Sequence, residues 1–179
     1  MNTGKPTSLF LALTAGLLAS GAAFAADKLD DAQIAQVVVT ANQIDIENGQ
    51  IAAERSKTPQ VDEFANLMVK DHTAVNNNAE ALVKKLNVTP KTSSTAESLR
   101  KDANEEQAKL KRLSGHDFDK EYLQNEVKYH KQVLSALDKS LIPDAQNAEL
   151  KKMLTDVRPA FQAHLDHAEK TLDEVKKQK

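Results

Sequence analysis

The chain has 179 residues, 26 acidic and 24 basic side chains, a formal net charge of −2 and no cysteine. The near-neutral, mixed charge excludes the electrostatic pattern of a nucleic-acid-binding protein, and the lack of cysteine excludes disulfides, thiolate ligands and lipoprotein acylation. Aromatic residues make up 4% of the chain and tryptophan is absent, a composition that favours a helical bundle packed with aliphatic side chains.

The N-terminal segment is predicted to be a signal peptide. The apolar run SLFLALTAGLLASGAAFA follows the lone charge of Lys5 and is short for a membrane span. It ends in the sequence AFA, which fits the small-x-small cleavage rule. We therefore expect residues 1–25 to be removed before Ala26, and residues 26–179 to form a single domain in the periplasm without membrane insertion. The alternative is an uncleaved membrane anchor.

Helical periodicity covers nearly all of the remaining chain, and strand-like alternation is absent from the pattern. The first two helices are predicted at about residues 30–56 and 59–86, separated by the proline-containing sequence SKTPQ. A third, short helix is predicted to open with a capping box of Ser94 and Glu97 and to stop at Gly115.

A fourth helix is predicted from a cap at Asp117 to Leu141, and a fifth, long helix follows the turn IPDAQN. Pro159 predicts a kink or a restart of the fifth helix near Asp156. The short connections make the first and second helices, and the fourth and fifth, antiparallel neighbours. Two hairpins joined by a crossover that carries the third helix predict an all-α, ferritin-like four-helix bundle with an extra short helix.

Three histidines fall inside apolar stripes rather than on polar helix faces. At about 100° per residue, His72, His130 and His164 point to the interior from the second, fourth and fifth helices. Glu126 lies one turn before His130 on the same face, and Glu47 lies at the boundary of the stripe of the first helix. Because a buried charge without a partner is costly, these groups must pair with each other, with trapped water or with a metal ion.

Imidazole and carboxylate ligands from facing helices suit iron, copper, zinc or manganese, and the sequence does not choose among them. The first hypothesis is therefore a transition-metal site formed by His72, His130 and His164, with Glu47 or Glu126 assisting, in metal handling or oxidative-stress defence. The Glu-x-x-His pair of di-iron bundles does not occur in the sequence, and no nucleophile or phosphate-loop motif supports an enzyme assignment.

The second hypothesis is a non-catalytic structural or stress-related bundle. Its buried histidines would form a hydrogen-bonded network, and its surface would bind a protein partner or a second copy of the chain. Neutral buried histidines would make such a fold sensitive to acid, because the unfolded chain takes up protons below a pH of about 6.5.

Three segments resemble the exported bacterial domain-of-unknown-function family 4142, whose members are often described as outer membrane proteins: IAAERSKTPQVDEFANLMVKDHTAVN, LSGHDFDKEYLQNEVKYHKQVL and RPAFQAHLDHA. The resemblance covers essentially the whole chain after the signal peptide. It implies a ferritin-like bundle in the periplasm and no known reaction. The histidines of the family pattern match His72, His130 and His164, and its acidic position in the first helix matches Asp45 or Glu47.

Overall fold

The computed structural model describes residues 28–178, which form five main helices and contain no strand. The all-α class is therefore confirmed, and the predicted signal peptide lies outside the described residues. Within this part of the chain no helix is long and apolar enough to cross a bilayer. The helices are α1 (Asp31–Arg55), α2 (Pro59–Lys85), α3 (Ser94–Leu110), α4 (Gly115–Ala136) and α5 (Ala148–Val175), with a π-helical turn (Leu137–Leu141) and a short α-helical turn (Ile142–Asp144) between α4 and α5.

The N-terminal caps of two helices differ from the prediction, by one residue in α3 and by three residues in α4. The side chain of Ser93, rather than that of Ser94, caps α3 and accepts a hydrogen bond from the Ala96 N–H at 3.2 Å. Helix α4 begins at Gly115, so Asp117 lies in its first turn and is not the cap. Gly115 has a φ of +57°, which residues with a Cβ rarely adopt, and this lets the chain turn into α4.

The two prolines near the C-terminal half of the bundle act differently. Pro143 has no N–H to donate to the carbonyl of Lys139, so the preceding turn widens into the π-helical turn Leu137–Leu141. Pro159, by contrast, lies within the continuous helix α5, and the restart predicted there is wrong. Because Pro159 is exposed, the carbonyl of Thr155 that it leaves without a helical partner can bond to water.

Two apolar clusters fix the direction of every helix. Helices α1, α3 and α5 run from the first core cluster to the second, and α2 and α4 run back. The hairpins α1/α2 and α4/α5 are therefore antiparallel, and α3, at 17 residues or about 25 Å, spans the bundle as the crossover. The first core cluster includes Ile34, Val37, Ala79, Ala96, Leu134, Leu137, Leu150 and Leu154, and the second includes Ala52, Val61, Phe64, Leu110, Phe118, Leu123, Leu172 and Val175.

A polar layer separates the two core clusters. Each of the four long helices contributes to it at the point midway between its apolar ends. The buried members, all less than 5% exposed, are Asn42 and Asp45 on α1, His72 on α2, Glu126 and His130 on α4, and His164 on α5.

Candidate metal centre

Three histidines from three helices meet in the polar layer. His72 is 3% exposed, His130 1% and His164 4%. Their ring centroids lie 5.2 to 5.6 Å apart. One ring nitrogen of each histidine lies within 4.8 Å of a ring nitrogen of both others. The structure thus brings together the three histidines that the helical periodicity singled out.

The orientation of the His72 ring is set by a neighbour on α1. The Asn42 amide N–H donates to the Val38 carbonyl at 2.9 Å, so the Asn42 side-chain oxygen faces His72. His72 Nδ1–H donates to that oxygen at 2.8 Å. If the Asn42 amide were flipped, its oxygen would face the carbonyl oxygen of Val38 and no hydrogen bond could form. The hydrogen bonds to Val38 and from His72 therefore fix both the orientation of the Asn42 amide and the tautomer of His72. His72 Nε2 is left with a lone pair and has no hydrogen-bond partner among the described residues.

The other two rings are held in the same way by acceptors outside the cluster. His130 Nδ1–H donates to the backbone carbonyl of Glu126 at 3.0 Å. His164 Nε2–H donates to the carboxylate of Asp71 at 3.0 Å. The second nitrogens, His130 Nε2 and His164 Nδ1, are buried without a hydrogen-bond partner in the part of the chain that the structure describes. An imidazole that donates one N–H to a carbonyl or carboxylate and turns its other nitrogen inward has the usual arrangement of a metal ligand.

Asp45 faces the free nitrogens from α1. Its Oδ2 lies 3.3 Å from His72 Nε2 and 3.7 Å from His130 Nε2, and the residue is 1% exposed. Tetrahedral ligands at metal distances of about 2.0–2.1 Å lie about 3.3 Å from one another. The carboxylate oxygen and the two nitrogens are therefore close to the spacing of ligands around one ion.

The lone pairs of the ring nitrogens of His72 and His130 face those of the Asp45 carboxylate. They repel one another unless a positive charge lies between them. Burial lowers the pKa of His72 to about 4, and the charge of Asp45 raises it only in part. Burial also lowers the pKa of His164. His72 is therefore neutral at pH 7, and a proton on its ring does not supply the missing charge. A metal cation bound between these groups would supply it.

The neighbouring carboxyl groups of Glu126 and Asp45 have pKa values shifted in opposite directions. Burial raises the pKa of Glu126 well above its usual value, and the negative charge of Asp45 raises it further. Burial alone would raise the pKa of Asp45 too, but the neighbouring His72 and His130 and a hydrogen bond from Glu126 together hold it below its usual value. As two carboxylates the pair would have no donor, and the proton on Glu126 provides one.

One oxygen each of Asp45 and Glu126 and one nitrogen of His130 form a second group of donors within 4.8 Å of one another. His130 belongs to both groups but has only one free nitrogen, because its Nδ1 is bonded to the Glu126 carbonyl. The two groups therefore outline a single candidate site, in which Glu126 lies beside Asp45 and His130.

Glu47, a ligand candidate from the sequence, lies elsewhere. Its Oε2 accepts hydrogen bonds from Arg100 Nη1 at 2.6 Å and Gln107 Nε2 at 3.0 Å, both on α3. Burial raises the pKa of Glu47, but the bonds from Gln107 and Arg100 lower it more. The structure pairs Glu47 with the crossover helix and places Asp45, the other acidic position that the family pattern allowed, beside the histidines.

Two residues that orient the ligands were missed by the sequence reasoning. Asn42 was not considered, although it continues the buried stripe from Val38 and lies three residues before Asp45. The position of Asp71 next to His72 in the sequence suggests a role at that ring, whereas its carboxylate bonds to His164 on α5. A search for amide and carboxyl side chains one turn from each buried ligand would have found Asn42.

The family profile described as Domain of unknown function (DUF4142) matches residues 17–171, so the chain belongs to this family. Comparison of the chain with curated proteins and with solved structures found no match. The membership confirms the resemblance of the sequence and assigns no reaction.

Proposed function

We propose that this protein binds one transition-metal ion in the middle of its bundle, with His72, His130, His164 and Asp45 as ligands. The observation that carries the proposal is the set of three buried imidazole nitrogens that find no hydrogen-bond donor within the described residues, beside the buried carboxylate of Asp45. Burying such groups without a cation is costly. A divalent ion would leave the site with one net positive charge and Glu126 neutral behind it.

The donor set limits the kind of ion. Three imidazole nitrogens and one carboxylate oxygen suit zinc, iron, copper or manganese. Calcium and magnesium prefer sites made of oxygen ligands and are disfavoured here. The role that follows is handling of a transition metal or defence against oxidative stress.

A buried hydrogen-bonded network of histidines explains the site less well. In such a network each buried ring nitrogen would have a hydrogen-bond partner, since buried polar groups normally do. Here the outward nitrogens of His72, His130 and His164 are bonded and the inward ones are not.

The test is metal uptake by the protein purified without an affinity tag or chelator. We expect near-stoichiometric iron, copper, zinc or manganese by elemental analysis, and recovery of binding when the metal-free protein is titrated with the same ion. At free metal 100 times Kd, binding raises the free energy of unfolding by about 2.7 kcal/mol. A protein that takes up none of the four ions contradicts the proposal.

Variants test the ligand assignment. The triple replacement of His72, His130 and His164 by alanine should abolish uptake. Asp45→Asn should weaken metal binding at least about tenfold, because a ligand matters no less than the residues that orient ligands, whose loss costs at least that much. Glu47→Gln is the matched control on α1: it should leave the affinity unchanged, because Glu47 bonds to α3. Uptake that survives the triple replacement, or that Glu47→Gln reduces as much as Asp45→Asn, overturns the assignment.

We also propose that the protein is exported to the periplasm after cleavage before Ala26. The apolar run before that position and its small-x-small end support this. N-terminal sequencing of the protein recovered from a periplasmic fraction should begin at Ala26. An intact N-terminus in the cytoplasmic fraction would refute it.

A further inference from the structure

A small cavity adjoins the candidate metal centre on the side of the first core cluster. Its volume is about 30 Å³. Asn42, Asp45, His72, His130 and Tyr129 line it together with Phe161 and aliphatic side chains of α1, α4, the π-helical turn and α5, and almost no polar atom is exposed on its free surface. The ring of Phe161 stacks on His72 with centroids 5.1 Å apart, and it closes the cavity beside that ring.

The π-helical turn contributes to this cavity directly. Leu137 and Leu141, its first and last residues, both line it. The turn is widened because Pro143 cannot complete an α-helical hydrogen bond. Single π-helical turns within helices occur frequently at functional sites, since they change the local packing without ending the helix.

The size and lining of the cavity select the kind of occupant. A water molecule needs about 10–15 Å³ of such volume and two to four polar partners. The volume is enough, but almost no polar atom is exposed on the free surface of the cavity, so a water molecule there would lack partners. An organic substrate is too large for a cavity of about 30 Å³. A diatomic gas has both the size and the low polarity that the lining accepts.

We propose that this cavity binds dioxygen, an uncharged diatomic molecule, in contact with the face of the metal centre formed by His72 and His130. The cavity itself requires no metal, whereas the placing of the gas beside a metal ion rests on the proposed function. The cavity would be an apolar pocket for a gaseous reactant beside the metal ion. A site used only to store metal does not need such a pocket.

The probe is dioxygen itself, dissolved under pressure in the metal-free protein. Its paramagnetism speeds the relaxation of nearby methyl protons, which NMR measures one methyl at a time. We expect severalfold larger effects at Val38, Leu137 and Leu154, which line the cavity, than at Leu110 and Leu123, which are equally buried in the second core cluster. Equal effects in the two clusters overturn the proposal.

A matched pair of variants on α1 tests the position. Ala41 lines the cavity and Ala53 packs against the second core cluster, and both are half-buried. Ala41→Leu should remove the excess relaxation at Val38 and Leu137, and Ala53→Leu should leave it unchanged. Should Ala41→Leu fail to fold, the comparison of clusters in the unmodified protein decides alone. An excess that persists in a folded Ala41→Leu protein contradicts the proposal.

Metal titration of the same samples separates the two proposals. Excess relaxation in a protein that takes up no metal refutes the metal centre and supports the gas cavity. Metal uptake without excess relaxation supports the metal centre and refutes the gas cavity. A crystal structure with ordered water in the cavity under oxygen pressure also overturns the dioxygen assignment.

Discussion

Replacing Glu126 by glutamine is predicted to make the metal-free fold sensitive to mild acid. The reason lies in His72, whose pKa falls from the ordinary 6.5 to about 4 on folding. Between these values the unfolded chain binds a proton that the folded protein does not, so stability is present above pH 6.5 and is lost as the pH falls to 4. At 1.36 kcal/mol per unit, the shift of about 2.5 units corresponds to a loss of roughly 3 kcal/mol.

In the unmodified protein the titration of Glu126 opposes this loss of stability. Glu126 has a pKa raised by burial and by Asp45, so the folded protein holds a proton there that the unfolded chain has released. Its contribution is present at low pH and is lost as the pH rises through the raised pKa. Between about pH 4.5 and pH 6.5 the two slopes have opposite signs, so the titration of Glu126 opposes the loss that comes from His72. Glutamine keeps a donor for Asp45 without titrating, and it leaves the His72 term uncompensated.

The assay is urea unfolding of the metal-free protein from about pH 7 to about pH 4, followed by circular dichroism. Glu126→Gln should lose roughly 3 kcal/mol more than the same protein carrying His72→Gln as well, because the second change removes the titrating ring. The difference between these two profiles cancels the surface carboxylates, which both proteins share. A Glu126→Gln protein whose profile stays parallel to that of the double variant refutes a neutral, buried His72.

Three further predictions concern residues outside the ligand set. Asn42→Ala should weaken metal binding about 10- to 100-fold, measured by calorimetric titration, because the His72 ring loses the acceptor that orients it. Gly49→Ala should lower the unfolding free energy by about 1 kcal/mol in urea, since a Cβ there would lie 2.9 Å from Val69 Cγ2, and the better helix propensity of alanine offsets only part of this overpacking. Pro159→Ala should raise the midpoint of urea unfolding, with a gain of about 1 to 3 kcal/mol, because the exposed proline interrupts the hydrogen bonds of α5; an unchanged midpoint would show that the helix has adapted fully.

The helices and their connections were predictable because the rules that set them are local. Apolar periodicity located all five helices, and the three residues between α1 and α2 left no choice but an antiparallel hairpin. The cap of α3 shifted from Ser94 to Ser93 because both serines precede the same helix and only the backbone geometry decides between them. Helix α5 can continue through Pro159 because the carbonyl of Thr155 faces water. Which carbonyls face water depends on how the helices pack, so the sequence of α5 alone does not predict it.

The choice between Asp45 and Glu47 shows where sequence reasoning about the site stops. The two residues lie about 200° apart around α1, so only one of them faces the bundle interior. The stripe of Ile44 and Ile51 suggested Glu47, but Ile44 packs against Ala103 of the crossover helix. Helix α1 buries two faces, one against α3 and one against the polar layer, and a single sequence gives no sign of which apolar stripe meets which neighbour.

The stability of the polar layer distinguishes a functional site from a structural network. Replacing a buried ionic cluster by apolar residues of similar volume is often neutral or stabilises a protein by about 1–4 kcal/mol, whereas breaking a satisfied network destabilises it. We therefore expect the double variant Asp45→Val, Glu126→Leu to unfold at equal or higher urea concentration than the metal-free parent, and to have lost metal uptake. The parent carries three inward ring nitrogens that find no donors among residues 28–178, so its layer is only partly a hydrogen-bonded network. A double variant several kcal/mol less stable than the metal-free parent would mean that the layer holds the fold together by itself, and the metal ion would no longer be needed to explain why it is there.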